Sequence, residues 1–353
     1  MTIIRQLLKH SRQAGRARQP TVARLVALVH LVIAACTVSA ACTVIAASTV
    51  ALASPTALAR SDAGPDARSI ETVFGPVEVA GVPERVVTLY EGALDTAIAT
   101  GAEPVGAVIT RGGTSVASYI QPLADDIEIV GAPGETNLEA VLASQPDIIL
   151  APGWTSPQQY RLLSLIAPTV APDVPPYQSD SWIRETRIFA RALGREAQGE
   201  AAIDKVQRRI AEVAKLVAAN VPEGQRDAAI VRWMPQGALV MSPGIFSATL
   251  LAAVGFDVSD AGLVNAGRPH SHPLSEENLS AIDQSWLFLA TLNKDGKEAL
   301  DAASRSPAFR RLQAVENGQV VAVDGQEWTS ASGPLVAGQI LDAVAAAVSG
   351  RKP

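Results

Sequence analysis

His270 and His272 lie one residue apart and are the only histidines beyond residue 59. A protein-held metal needs three or four converging ligands with supporting partners. This pair supplies two. Both cysteines, Cys36 and Cys42, fall within the first 59 residues, so no thiolate completes the set. No metal ligands are expected. Nucleophilic chemistry is equally short of parts. A His/Asp/Ser relay could use either ring, but the spacing does not favour one. There is no G-x-S-x-G elbow, no Walker A loop and no G-x-G-x-x-G fingerprint. The sequence predicts no catalytic residues and no enzyme.

Glu139 and Glu277 form a second constellation. Aligned on them, EAVLASQPDIIL pairs with ENLSAIDQSWLF, which sets Val141 on Leu279 and the apolar run 148–150 on 286–288. Each glutamate opens a short helix that feeds a core strand. The helix dipole favours a carboxylate in a first turn, so capping explains either glutamate taken singly. Their recurrence in a weak internal repeat puts one in each of two equivalent units.

The elements that must position these residues are arranged about one stretch. From Glu196 to Asn220, Ile203, Val206, Ile210, Val213 and Val217 recur at alternating steps of three and four, with no proline and one glycine, Gly199. That is a single apolar stripe on a long helix, about 35 Å at 1.5 Å per residue. Asp204 and Arg208 stand four apart on its polar side, in the order that favours an ion pair. Asn220, Pro222 and Gly224 stop it. Before it, apolar runs at 86–89, 104–109, 127–130, 147–150 and 169–171 alternate with helical stretches at 91–100, 137–144, 158–166 and 181–193. Residues 72–79, broken by Gly75-Pro76, read as a hairpin, and 60–69 as a flexible lead-in. After it, strands at 228–231, 238–241, 286–290 and 319–323 alternate with helices at 246–254, 275–282 and 334–348. The pattern predicts parallel sheets covered on both faces. The fold class is α/β: two open-sheet lobes, 60–195 and 221–353, joined by the helix 196–220.

The first 59 residues read as a leader. Arg5, Lys9, Arg12, Arg16, Arg18 and Arg24 precede an uncharged run at 25–53, and Ala57-Leu58-Ala59 supplies a small-residue site. The expectation is a secretory signal cleaved after Ala59 and a periplasmic protein. A retained membrane anchor and acylation of Cys36 in Ile33-Ala34-Ala35-Cys36 are the alternatives; the apolar stretch after Cys36 argues against the second. Of 29 Lys and Arg, six lie in the leader, which leaves 23 against 35 acids and a net charge of −12. Such a surface speaks against nucleic acid or anionic membrane as a partner.

Pro83-Glu84-Arg85-Val86-Val87-Thr88-Leu89, Pro104-Val105-Gly106, Asn137-Leu138-Glu139-Ala140-Val141, Gln145-Pro146-Asp147-Ile148-Ile149-Leu150, Ile166-Ala167-Pro168-Thr169, Ser275-x-Glu277-x-Leu279 and Gly318-Gln319-Val320 occur in that order. Together they resemble the ferric-siderophore and cobalamin class of ABC-transporter substrate-binding proteins, across roughly Val73 to Val348. The resemblance implies two lobes on one rigid helix with the ligand in the cleft between them. That ligand would be an anionic ferric siderophore, bound without covalent attachment; haem and cobalamin are the alternatives within the class. It implies an importer whose dimeric permease receives a monomeric protein on two glutamates, here Glu139 and Glu277, with Glu276 and Glu135 as substitutes.

A cleft of that fold is lined by loops at strand ends. The side chains with useful chemistry there are Tyr90, Glu91, Arg111 and Trp154 in the first lobe. In the second they are Arg232, Trp233, Met241, Phe246, Arg268, His270, His272 and Trp328. Arginine forks grip anionic oxygens and aromatic rings cover apolar parts of a ligand. Tyr90, Arg111, Trp154, Trp233, Arg268, His270 and Trp328 are the predicted ligand contacts.

Overall fold

Val86, Val87, Ile148, Ile149, Leu150 and Val170 belong to apolar runs too short for buried helices and too uniform for a strand with one wet face. In the computed structural model all six are fully buried in one parallel sheet. The structure describes residues 67–350 except 125, all within the contact unit Ala59–Pro353. The expected leader, with the Ala57-Leu58-Ala59 stretch and Cys36, lies outside the described residues.

The first lobe opens with an antiparallel hairpin, β1 (Arg68–Ile70) and β2 (Val77–Val79), turned at Gly75. Arg68 and Ser69 are therefore strand, where composition suggested a flexible lead-in. The Arg68 guanidinium docks them by donating to the carbonyls of Arg191 and Ala192 at 2.9 and 3.2 Å. Then come β3 (Val86–Thr88), α1 (Glu91–Ala99), β4 (Gly106–Ala107) and β5 (Glu128–Ile129). A small hairpin of β6 (Gly131–Ala132) and β7 (Glu135–Thr136) leads to α2 (Leu138–Ala143), β8 (Ile148–Leu150), α3 (Pro157–Leu163), β9 (Thr169–Val170) and α4 (Ser181–Ala192). The sheet order is β5-β4-β3-β8-β9, all parallel. Successive residues bury opposite faces: Val86 and Ile148 join Phe189 and Leu193, while Val87 and Ile149 join Val141 and Leu163. Each such aliphatic side chain contributes roughly 1.5–3 kcal/mol on burial.

The linking helix α5 spans Glu196–Asn220. Ile203, Val206, Val213 and Val217 are buried as the stripe requires. Gly199 is a packing glycine: a Cβ there would stand 2.5 Å from that of Ala190, so its absence lets α4 close on α5. Asp204 and Arg208 do not pair. Arg209 pairs within the helix with Glu212 at 3.0 Å, and two ion pairs run outward, Arg187 of α4 to Glu200 and Arg209 to Asp342 on the last helix, each 2.6 Å.

The second lobe contains β10 (Asp227–Met234), β11 (Gly237–Val240), α6 (Phe246–Ala253), β12 (Asp257–Val258) and β13 (Trp286–Thr291). It continues through α7 (Lys294–Ala303), α8 (Pro307–Arg310), α9 (Gln313–Glu316), β14 (Val320–Asp324), α10 (Gly325–Thr329) and α11 (Pro334–Val348). The sheet order is β11-β10-β13-β14, with β12 beside the start of β10; only β11 runs antiparallel. The expected helix at 275–282 is 3-10 in geometry, Glu276–Ile282. The two-lobe α/β architecture read from the sequence is borne out.

The lobes meet at the carboxyl ends of their strands. A Cβ at Gly112, after β4, would stand 2.9 Å from the Cβ of Leu292, after β13. One at Gly113 would stand 3.1 Å from Nε2 of Gln326, after β14. A buried carboxylate ties the same junction. Asp95 on α1 accepts the N–H groups of Leu335 and Val336, both at 2.9 Å, and the Tyr119 hydroxyl at 3.0 Å. Leu335 and Val336 open α11, whose own N-cap, Gly333, has no side chain; the first lobe therefore caps the last helix of the second.

Candidate functional site

In the first lobe, Glu91 begins α1 beside the cleft. Its Oε1 accepts the Arg111 backbone N–H at 3.1 Å and the Thr110 hydroxyl at 3.3 Å. This fixes the Arg111 backbone and leaves the guanidinium exposed. Trp154, after β8, is 69% exposed and meets the Tyr90 ring edge-on, centroids 5.4 Å apart. Tyr90 itself is buried against Phe189. Burial first, then the neighbouring Glu185 carboxylate, holds the Tyr90 hydroxyl well above its ordinary pKa. Burial likewise pushes Glu185 up to about 7.

In the second lobe, strand alternation turns Arg232 away from the face that buries Val231 and Trp233. Arg232 is 7% exposed, yet its Nε has no hydrogen-bond partner and its Nη1 reaches only the Thr329 hydroxyl, at 3.5 Å. Burial first, and the Arg111 charge second, lower its pKa to about 10. Arg111 and Arg232 stand on opposite lobes. Among the described residues neither of them, nor Arg268, has a carboxylate partner in an ion pair. Glu327, on α10, is pushed up to about 7 by burial and then by Asp324.

Arg268, His270 and His272 line a recess of about 260 Å³ with Gln236, Leu239 and Asn265. Bridges from Met241 to His270 and from Ala238 to Leu274 lay this segment against β11. The His270 ring nitrogen Nδ1 lies 2.8 Å from the Ser271 carbonyl. No cluster of three or more His, Cys, Asp or Glu suited to a metal occurs among the described residues.

Four residues expected in cleft loops lie elsewhere. Trp233 is inside β10, 3% exposed and edge-on to Phe309. Trp328, on α10, is 2% exposed and stacks on Phe288 at 5.0 Å. Met241 is buried in the same core as Trp328, and Phe246 packs on Trp182. For Trp233 the reason is the β10–β11 hairpin, which carries β10 on to Met234 where the apolar run suggested an end at residue 231. Sequence reasoning also passed over Asp95, Glu327 and Tyr177. Only the last left a signal, the turn-forming Pro175-Pro176 before it.

Glu139 and Glu277 are exposed, each at the second position of its helical segment. Asn137 caps the first segment by accepting the N–H groups of Glu139 and Ala140 at 3.1 Å. Neither carboxylate has an ion-pair partner among the described residues.

Two α/β lobes on a single helix, with unpaired arginines at their junction, define a binding protein that takes its ligand between lobes. Residues 86–327 match the periplasmic binding protein family model, and the chain belongs to that family. Curated relatives include the achromobactin-binding periplasmic protein of Dickeya dadantii, 26% identical over 75% of this chain and 86% of that one. Another is the Fe(3+)-citrate-binding protein YfmC of Bacillus subtilis, 27% identical over 75% and 80%. Among solved structures, Staphylococcus aureus SirA complexed with staphyloferrin B superposes with a TM-score of 0.68 at 28% identity, covering 78% of this chain and 96% of SirA. The resemblance read from the ordered motifs is borne out.

Proposed function

We propose that this chain is the extracytoplasmic binding component of an ABC importer and that its cleft takes an anionic ferric chelate presenting carboxylate oxygens. The observation that carries the reading is Arg232: a guanidinium removed from water and without an acid partner among the described residues, on the lobe opposite the exposed Arg111. Leaving a charge in that state is costly unless a ligand neutralises it. Guanidinium forks match carboxylates two bonds at a time. Trp154 is the one largely exposed indole among the described residues, so the cleft offers little aromatic surface for a large flat macrocycle. Names of relatives that specify Fe(3+)-citrate agree with this choice. Arg111, Arg232, Arg268 and Trp154 are the proposed contacts, with His270 and His272 in the adjoining recess. Glu139 and Glu277 dock the loaded protein on its permease.

Titration of the full chain with ferric citrate, followed by tryptophan fluorescence, tests this reading against ferric hydroxamate, ferric catecholate, haem and cobalamin. Saturable uptake of the carboxylate complex without chemical change is the expected result. Preference for haem or cobalamin, with Arg232→Met binding as tightly as wild type, overturns it.

A further inference from the structure

Asp95 has no exposed surface and no cationic partner in an ion pair among the described residues. A buried carboxylate in that state is costly unless donors satisfy it. Two of its three donors, the N–H groups of Leu335 and Val336, come from the other lobe. A helix N-terminus offers both free N–H groups and a favourable dipole. The site is shaped to this side chain. Gly333 holds φ 123°, a conformation that favours glycine, and a Cβ there would run into the Asp95 carboxylate. Leu335 packs beside Leu94, Val116 and Ile120 of the first lobe. A serine or threonine at the N-cap would serve α11 alone at less cost. Drawing the cap from the first lobe makes the placement of that lobe a condition of capping.

Both sides of this contact run on to the cleft arginines. Glu91, one helical turn before Asp95 on α1, holds the Arg111 backbone N–H at 3.1 Å. Gly92, next to it, abuts the Ser332 hydroxyl in the turn before α11. On the other side, that turn follows Thr329, whose hydroxyl Arg232 reaches at 3.5 Å. The Ala331 N–H donates to the Gln326 carbonyl at 3.0 Å and keeps the turn against α10.

Resting on the reading of Arg111 and Arg232 as ligand contacts, we propose that Asp95 is a positioning residue for ferric-chelate binding. Its contact with α11 fixes where Arg111 stands relative to Arg232. While the cap is made, α1 and the turn at 330–333 are held together, and the arginines tied to them are held too. A chelate then meets both guanidinium groups without having to bring the lobes together itself.

The test uses the full chain at about pH 8, where Asp95 is ionised. Ferric citrate is the probe and tryptophan fluorescence the readout. Asp95→Asn keeps the size and one acceptor oxygen, but its amide nitrogen cannot accept the second N–H. It should bind about tenfold more weakly, as the fraction of molecules with both arginines in place falls. In an Arg232→Met background the same substitution should cost no more than about twofold, because one of the two groups it places is gone. Tyr119→Phe removes a single bond to Asp95 and keeps the ring, which covers the case of an Asp95→Asn chain that does not fold. Its loss should be about threefold and should likewise shrink beside Arg232→Met. Unchanged affinity in the single variants, or losses undiminished beside Arg232→Met, overturns the proposal and leaves the cleft reading standing. Wild type that does not bind ferric citrate, or Arg232→Met that binds it as tightly, overturns both.

Discussion

The two halves of the cleft are built differently. The first lobe offers Arg111 and Trp154 on exposed loops after strands of two and three residues. The second offers Arg232 from inside an eight-residue strand, almost out of water. A loop arginine keeps its solvation until a ligand arrives. A strand arginine has lost most of its solvation during folding, and its side chain has little freedom left to lose. Binding energy should accordingly concentrate in the second lobe, where the desolvation and ordering costs are met in advance. The first lobe should contribute more to capture and to coverage of the ligand's apolar parts.

The tryptophans give the largest contrast. Trp233→Ala in the second lobe should destabilise by about 3–5 kcal/mol, the usual cost of emptying a buried aromatic site. Trp154→Ala in the first should change stability by no more than about 0.5 kcal/mol. Urea denaturation of both variants measures this, and a similar loss in both would erase the distinction between core and rim. The binding consequence reverses the order: Trp154→Ala weakens ligand affinity, while Trp233→Ala in its folded state does not.

Arg232→Met comes next. Methionine fills comparable volume without charge. Affinity for the chelate should fall by about 1.5–3 kcal/mol, or roughly ten- to 150-fold. Thermal stability should stay level or rise, because an unpaired buried charge has gone. Calorimetric titration beside a melting curve separates the two readouts. A lower melting temperature with unchanged affinity would mean that Arg232 is structural and that the halves do not differ as described.

A smaller effect follows from buried acids, two on the first lobe and one on the second. Asp95, Glu185 and Glu327 rise from ordinary values of 3.8, 4.5 and 4.5 to about 7. The folded chain then holds these protons more tightly than the unfolded one. Stability from them is fully present below the unfolded values, declines as pH climbs through the window up to about 7, and levels above it. Burial is the first cause for all three; at Asp95 the two backbone N–H groups and the Tyr119 hydroxyl pull the other way. Melting curves between pH 4 and 8 should show the decline, and Glu185→Gln should flatten part of it. An unaltered profile in that variant would remove Glu185 from the account.

The sequence disclosed the scaffold more fully than the site, for physical reasons that particular residues make plain. The stripe from Ile203 to Val217 needs only helical periodicity, which is local, and α5 occupies the whole predicted stretch. The strands around Val86 and Ile148 are equally local, since a short apolar run between helices has few other uses. Arg232 and Trp233 are neighbours with opposite fates, decided by a hairpin partner that pairs Arg232 with Leu239 and Trp233 with Ala238. No property of either residue alone carries that information. Tyr177 is harder still, because Gly244, which its backbone abuts, belongs to a lobe that begins more than forty residues later. Asp95 resembles any helical acid until the N-terminus of α11 arrives from 240 residues away.

Glu139 and Glu277 sharpen the comparison from the other side, because here the two lobes should act alike. Both carboxylates are exposed, both sit at the second position of a short helical segment, and the internal repeat sets them in register. The first segment is α-helical and capped by Asn137; the second is 3-10, and the Ser275 side chain makes no cap bond. What the repeat preserves is therefore the charge and its place, with the backbone beneath it free to differ. Two like charges on separate lobes are poorly placed to share one ligand and well placed to meet equivalent basic pockets on a two-fold symmetric permease. With the lobes joined by the single helix α5 and by the Asp95 cap on α11, the expected distance between the glutamates is nearly constant. Rim charges act mainly on encounter and partner choice. The double variant Glu139→Ala with Glu277→Ala should leave stability and chelate affinity in solution unchanged. It should abolish salt-sensitive binding to the permease and transport in reconstituted vesicles. Normal transport would end the docking assignment. Loss of chelate binding instead would put these residues in the cleft, and the equivalence of the lobes at this point would fail with it.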